Sequence, residues 1–471
     1  MSNLEHRRPN IEPQVHPPVP LFYRFLHRAY SRGAQLSQFV QSRVAPAGWG
    51  VLGLLVMTAV LGADVSRSAL YQIFALSLAL LAVGLLWAWA RRARLTARRV
   101  LPRYATAGEE CRVTIEITNR GRRAVRGVLI RDRVPDPRPD LRQFAFTPEP
   151  GEAKRNAFDR LFVYYRWRWL LDRRLLFTGG RCREVLSLKP GQSARVSVAL
   201  RARRRGAIRF NDLRAVLPDP LGLFQRNVRV EAPEDTLHVL PRRYRLPAVD
   251  LPGEACFQLG GEALSNTIGQ SGEFLGLRDY RPGDALRHIH WKSWAKTGRP
   301  IVKEFEEVFF PRYGLVLETF AAPGDEDLFE ETVSVAASFA AAIDTNRSLL
   351  DLMFIKDKAI IVTAGRGVAK TEKLLEVLAA VEADPAEHFH ALLQLVQRYR
   401  DDLTSCICLF TGWSETRAGF LRGVLRHGLE TTALVVCRDE ARVRDALQRH
   451  PVPCRLLPLE LSRIQEGLLK L

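Results

Sequence analysis

The chain is poor in cysteine and methionine, with seven and three in 471 residues. The cysteines stand at 111, 182, 256, 406, 408, 437 and 454, no two spaced Cys-x-x-Cys. An odd, scattered set excludes a disulfide framework and a zinc-ribbon site, and it fits reduced thiols in a cytosolic compartment. Acid is also in short supply: 51 Asp and Glu face 70 Lys and Arg, a net charge of +19. The excess is spread along the chain rather than stored in one arm. That pattern fits contact with anionic lipid, or an arginine-rich proteome, better than a specific nucleic-acid partner. Phosphate loops are lacking too. Gly365 to Thr371 has Ala369 where a Walker loop needs glycine before its lysine, and Ala364 at the earlier glycine. Ser265 and Ser271 lie near glycines but outside any Gly-x-Ser-x-Gly elbow. With no nucleophile–base pair in view, neither a cofactor nor a small-molecule substrate is expected. No internal repeat is visible.

What the chain does have is apolar residues, 47% of the total, enough for a packed core in about two or three domains. Residues 1–46 form a tail rich in Pro, His and Arg. Within it Leu21 to Val44 has helical spacing, with Leu21, Phe25, Leu36, Phe39 and Val40 against Arg24, Arg28, Arg32 and Arg43, as in a basic interfacial helix. A short helix with no membrane role would read the same way. Two apolar runs follow in 47–90. Gly48 to Ala63 is at the short limit for a span, and Ala69 to Ala90 is long enough to cross a hydrocarbon core. Asp64 to Ser68 leaves room only for a tight hairpin. Arginines precede the pair and follow it at 91, 92, 94, 98 and 99. By the positive-inside rule both ends and everything after residue 90 face the cytoplasm, which predicts a multi-pass inner-membrane protein. Trp87 and Trp89 sit where an aromatic belt would lie.

From Val100 the period changes to two. Cys111 to Asn119, Val125 to Arg131 and Ser193 to Leu200 alternate apolar and polar, with turns at Gly108, Gly121 and Lys189-Pro190-Gly191. Residues 100–245 therefore read as an all-β sandwich of the immunoglobulin-like class. Tyr165-Arg166-Trp167-Arg168-Trp169, inside an aromatic and arginine-rich insert at 158–177, alternates like a strand with an aromatic core face. Lipid contact, or stacking on single-stranded nucleic acid, are the alternatives for that face. Pro220 and Gly222 bend the chain so that Leu221, Leu223 and Phe224 dock on the sandwich. From Tyr313 apolar strands alternate with helices, so residues 311–471 form an α/β domain around a mostly parallel sheet.

Residues 246–310 join these two parts and hold the densest chemistry, between Gly272 and Glu307. Pro282-Gly283-Asp284 is turn chemistry. Trp291 and Trp294 share one face if the segment is helical. Arg278, Asp279, Tyr280, Arg287, His288, His290, Lys292, Lys303 and Glu306 crowd around them. This stretch resembles the signature of the Domain of Unknown Function 58 family, matching it at Gly272, Glu273, Phe274, Arg278, Tyr280, Pro282, Gly283, Asp284, Arg287, Ile289, Trp291, Lys292, Ala295, Lys296, Gly298, Lys303 and Glu306. Arg203 to Gly206 and Asp219 to Phe224 resemble two further landmarks of that family. The resemblance implies a membrane-anchored accessory protein with a von Willebrand factor A-like domain, often paired with a MoxR-type AAA+ ATPase. It establishes no reaction.

A von Willebrand A domain holds a divalent metal through Asp-x-Ser-x-Ser after its first strand, and the matching place here reads Glu318-Thr319-Phe320-Ala321-Ala322. Glu318 can replace the aspartate, but Phe320 and Ala322 offer no oxygen, so no metal is expected. Thr411 is too generic a residue to supply the missing ligands. In the signature, Arg278 and Arg287 are placed to bridge Asp279, Asp284 or Glu306, an ion-paired scaffold rather than a catalytic centre. The expected function is a cytoplasm-facing scaffold, not an enzyme, with lipid and a protein, the MoxR-type ATPase, as partners. The alternatives are a hydrolase using His288, His290 and an acid, or a basic nucleic-acid binder.

Overall fold

The structure, a computed structural model, describes residues 18–61, 68–182, 184–247, 273–284, 286–306, 311–322, 324–343, 348–365 and 370–470. The turn between the two apolar runs, the glycines at 260, 261 and 269, Ser265, Ser271 and most of the Walker-like loop lie outside them. The chain divides into two units, 1–239 and 240–471.

The first unit opens with three helices: α1 (Leu21–Gln41), α2 (Pro46–Leu61) and α3 (Ser68–Ala90). Helices α2 and α3 are apolar on all sides and lie against each other. Residues 69–90 are long and apolar enough to cross a membrane; at 1.5 Å per residue they extend about 33 Å, against roughly 30 Å of hydrocarbon. In α2 the hydroxyl of Thr58 is satisfied internally, donating to the Leu54 carbonyl at 2.9 Å, as a polar group at hydrocarbon depth requires.

Eleven strands follow. These are β1 (Leu95–Val100), β2 (Tyr104–Thr106), β3 (Glu110–Asn119), β4 (Val125–Asp132), β5 (Phe177–Arg181), β6 (Leu186–Leu188), β7 (Ser193–Ala202), β8 (Gly206–Phe210), β9 (Leu213–Pro218), β10 (Gln225–Arg229) and β11 (Asp235–Leu240). Eight make an antiparallel sheet in the order β1-β3-β7-β5-β4-β9-β10, with β6 also on β4; β2-β11-β8 make a second. Alternate side chains from both sheets, among them Ile115, Ile117, Val196 and Val198 from one and Ile208, Phe210, Leu237 and Val239 from the other, share a single core. This is the sandwich that the period of two predicts, and it begins five residues earlier than expected. Arg99 is buried in it, paired with Asp132 through Nε–Oδ2 at 2.7 Å and Nη2–Oδ1 at 3.0 Å.

Two expectations are corrected in this unit. The Tyr165–Trp169 stretch is helix, not strand. Between β4 and β5 the chain forms α4 (Leu141–Phe146), α5 (Ala157–Phe162) and α6 (Tyr164–Arg174). The alternation misled because Arg166 is inside: its Nε donates to Glu152 at 2.8 Å, and its Nη1 to the carbonyls of Phe144 and Ala145 at 3.0 Å. Val163, Trp167 and Leu170 then line up at helical spacing and, with Phe144, receive Leu26 of α1. The turn at 219–224 also departs from expectation. It seats against the apolar helices: a Cβ on Gly48 would lie 2.2 Å from the Leu223 carbonyl oxygen, and one on Gly84 would lie 3.1 Å from the Phe224 ring. Leu221 is exposed. Glycine at both helix positions is what admits the turn's backbone and ring.

The second unit holds a hairpin of β12 (Glu273–Asp279) and β13 (Ile301–Glu306) enclosing the short helix α7 (Trp291–Thr297). It also holds a six-stranded sheet. Its strands are β14 (Arg312–Leu317), β15 (Leu349–Lys356), β16 (Lys358–Ala364), β17 (Ser405–Thr411), β18 (Glu430–Cys437) and β19 (Arg455–Glu460), in the order β16-β15-β14-β17-β18-β19. All pairings are parallel except β15 with β16 at the edge. The helices are α8 (Glu326–Ala342), α9 (Thr371–Ala380), α10 (Phe389–Tyr399), α11 (Glu415–Leu425), α12 (Glu440–Arg449) and α13 (Ile464–Leu468). Strand β17 is buried at every residue, as expected of a parallel strand covered on both faces.

Candidate functional site

Two places in the second unit collect the polar side chains singled out above. The first is the hairpin. Arg278 faces Val302 and Asp279 faces Ile301 across β12 and β13. Beyond β12 the chain turns at Pro282-Gly283, where Gly283 takes φ of 108°, a left-handed conformation that L side chains resist. Asp284 is then held twice. Arg278 donates Nη1 and Nη2 to its two oxygens at 2.7 and 2.8 Å, and the Arg281 amide donates at 2.8 Å. Those bonds, Arg278 first, pull its carboxyl down to about 2. The Tyr280 amide donates to the Pro300 carbonyl at 3.0 Å and the His290 amide to the Ile301 carbonyl at 2.8 Å, fastening α7 to the strands over a small core of Ile289 and Val302.

Arg278 and Asp284 are thus joined as an ion pair. Arg287 differs from expectation: it reaches neither Asp279 nor Asp284, because the 3-10 turn at Leu286–His288 directs its Nε to His288 Nε2 at 3.3 Å. The Glu306 side chain lies outside the description. Asp279 is exposed and accepts from Arg278 Nη1 through its carbonyl at 3.2 Å. His290 Nδ1 lies 2.6 Å from the Ser293 hydroxyl. Among these contacts the two histidines have different neighbours, Arg287 for His288 and Ser293 for His290. Lys303 is half-buried opposite Leu277, and Lys292 is exposed. Trp291 and Trp294 stack with centroids 5.3 Å apart. Trp291 remains 64% exposed, and nearby Leu286 68%.

The second place is the carboxyl end of β14. Glu318 follows this strand and is wholly buried. Arg417, three residues past the Ser414 cap of α11, reaches both its oxygens: Nη2 to Oε1 at 2.6 Å and Nε to Oε2 at 3.1 Å. The Thr411 amide adds a bond to Oε2 at 2.9 Å, and Ser414 Oγ accepts from Arg417 Nη1 at 3.1 Å. Burial pushes the Glu318 carboxyl up, and Arg417 pulls against it. Phe320 packs into the core beside Phe389, centroids 5.1 Å apart. A divalent ion does not fit this arrangement. A guanidinium already occupies both carboxylate oxygens, and Phe320 and Ala322 bring no ligand. Among the described residues no three His, Cys, Asp or Glu side chains gather as a metal cluster. Sequence reasoning missed Arg417, since it lies 99 residues from Glu318 with no local pattern to mark it. Thr411, generic by its sequence context, is part of the site.

Residues 276–402 match the family model described as protein of unknown function DUF58. The match runs from β12 through α10 and takes in the hairpin and Glu318. An uncharacterized protein of Bacillus subtilis, YeaD, is 29% identical over 185 residues, which is 39% of this chain and 44% of that protein. The chain thus spans less than half the length of this curated relative. Among solved structures, the CARDB domain of a Pyrococcus furiosus protein in complex with di-metal ions aligns at 11% identity. It covers 31% of this chain and 89% of its own, with a TM-score of 0.17. A Salmonella alpha-2-macroglobulin mutant aligns at 14% identity over 34% of this chain and 8% of its own, also at 0.17.

Proposed function

We propose that this protein is a membrane-anchored scaffold whose α/β unit is a metal-independent, von Willebrand A-like platform for protein partners. The anchor is the α2–α3 pair, with the body on the cytoplasmic side. The observation that carries the reading is Arg417 closing over Glu318. At the carboxyl end of the sheet, where α/β folds bind ligands, the acid that a metal would need is buried and held by a guanidinium. The strand order supports the likeness, being doubly wound with one antiparallel edge. The exposed side chains of Trp291 and Leu286 beside the hairpin are the kind of apolar anchor that protein interfaces use. By family resemblance the partner is a MoxR-type AAA+ ATPase. A hydrolase is not favoured: the contacts described for His288 and His290 are to Arg287 and Ser293, not to a shared acid. The test is photo-crosslinking from position 291 in native membranes, with and without ATP. A crosslinked AAA+ ATPase supports the reading; lipid adducts alone, in both nucleotide states, refute it.

A further inference from the structure

The outward face of the large β-sheet carries a row of arginines that the scaffold reading leaves unused. Arg181 of β5 stands opposite Arg131 of β4, Arg131 opposite Arg214 of β9, and Arg214 opposite Arg229 of β10. Adjacent strands lie about 4.8 Å apart, so the row crosses four strands in one register. Arg133 lies just past the end of β4. The residues on either side of Arg131 and Arg214, namely Ile130, Asp132, Leu213 and Ala215, are buried, which puts both guanidiniums on the outer face.

Like charges in directly opposed positions destabilise a sheet. Asp212 offsets part of the repulsion, bonded by Arg214 Nε at 2.9 Å, with Arg133 at 3.8 Å. Among the described residues, neither Arg131 nor Arg181 has a carboxylate within ion-pairing distance. Burial, then Arg181 and Arg133, push the Arg131 guanidinium below its ordinary value. A sheet that keeps such a row in register retains a charge that its own acids do not answer.

Three of the row, Arg131, Arg181 and Arg214, together with Arg133 floor a cleft. Its opposite wall is the end of α1, where Gln38 and Gln41 face Arg131, Arg133, Arg181 and Arg214. The end of α1 is tied to the sheet: Asn227 Nδ2 donates to the Ser42 carbonyl at 2.6 Å, and the Gln225 amide to the Arg43 carbonyl at 2.8 Å. Helix α2 begins at Pro46, four residues after Ser42, a reach of at most about 14 Å. The cleft therefore opens beside the start of the apolar helices.

We propose that this arginine cleft binds a phosphate-bearing anion, presented by a phospholipid headgroup at the membrane surface. Guanidinium forks match phosphate oxygens two at a time, and the Gln38 amide is a neutral donor from the other wall; the Gln41 amide already gives one hydrogen to Ser37 Oγ at 3.2 Å. The headgroup assignment rests on the membrane anchoring proposed above; the anion chemistry does not.

The test uses the full chain, purified and delipidated in detergent, and titrated with phosphatidylglycerol, phosphatidylcholine or inorganic phosphate under native mass spectrometry. The comparison variant carries Arg131→Gln and Arg181→Gln. Wild type is expected to retain phosphatidylglycerol over phosphatidylcholine. The double variant should hold it about a hundredfold more weakly, from about tenfold for each charged hydrogen-bonding group. Because the substitutions relieve repulsion, the variant should unfold no earlier than wild type. Equal retention by the two proteins overturns the proposal, and so does a variant that unfolds well before wild type, which would make the row structural. Inorganic phosphate binding without phosphatidylglycerol binding overturns the headgroup assignment. Carbonate extraction of native membranes, run in parallel, reads the anchor separately: wild type in the wash fails the anchor, while the detergent titration still decides whether the cleft binds the anion.

Discussion

Replacing Arg417 with alanine should be among the most damaging single changes in the second unit. Glu318 is wholly buried and receives three hydrogen bonds, two of them from Arg417. The substitution leaves the Thr411 amide alone to hold a carboxylate in the interior. Breaking a buried pair in this way costs about 3–5 kcal/mol. For a unit of this size that is a drop in Tm of roughly 6–20 °C, read at neutral pH on the transition that contains the second unit. Leucine at both positions removes the stranded charge along with its partner. That double variant should recover most of the loss, because a buried pair exchanged for apolar residues is often neutral. The cost of Arg417→Ala should also shrink in acid, where Glu318, already pushed up by burial, takes a proton. A single variant that loses less than about 1 kcal/mol, or a double variant no more stable than Arg417→Ala, would refute the idea that Arg417 neutralises a buried Glu318 carboxylate.

Three further outcomes are expected. Asp284→Asn should speed amide exchange over residues 279–284 while leaving the main unfolding transition in place. In wild type the Asp284 carboxyl sits below its ordinary value of 3.8, at about 2. Its contribution is therefore complete above about 4 and fades as pH falls toward 2, which a carbon-13 titration of that carboxyl will follow. Gly48→Ala should destabilise the first unit by about 1–3 kcal/mol, since the new Cβ meets the Leu223 carbonyl at 2.2 Å. Proteolysis should then open the 219–224 turn, whereas Gly53→Ala, with nothing within 4 Å, should change little. Added magnesium should leave the wild-type Tm unmoved; an upward shift with a saturating dependence on magnesium would show that the second unit holds the ion after all.

The parts legible in the sequence are those that repeat within a few residues. The apolar run at 69–90, the alternation in β3 and β7, and the strand–helix rhythm after Tyr313 are periodic signals produced by burying one face of a local element, and each appears where expected. The Arg278–Asp284 pair was readable for the same reason, because six residues and a Pro-Gly turn bring the two side chains together. Tertiary structure decided what depends on distant partners. Arg166 is buried because Glu152 and two carbonyls receive it, which turned an apparent strand into a helix. Glu318 is sealed because β17, the neighbour of β14 in the sheet, leads into α11 and delivers Arg417 to it from 99 residues along the chain. Arg131, Arg181 and Arg214 became one row only when three strands far apart in the chain fell into register. A single strand reveals which of its residues face outward, but the chemistry of a surface belongs to neighbours that only the folded sheet selects.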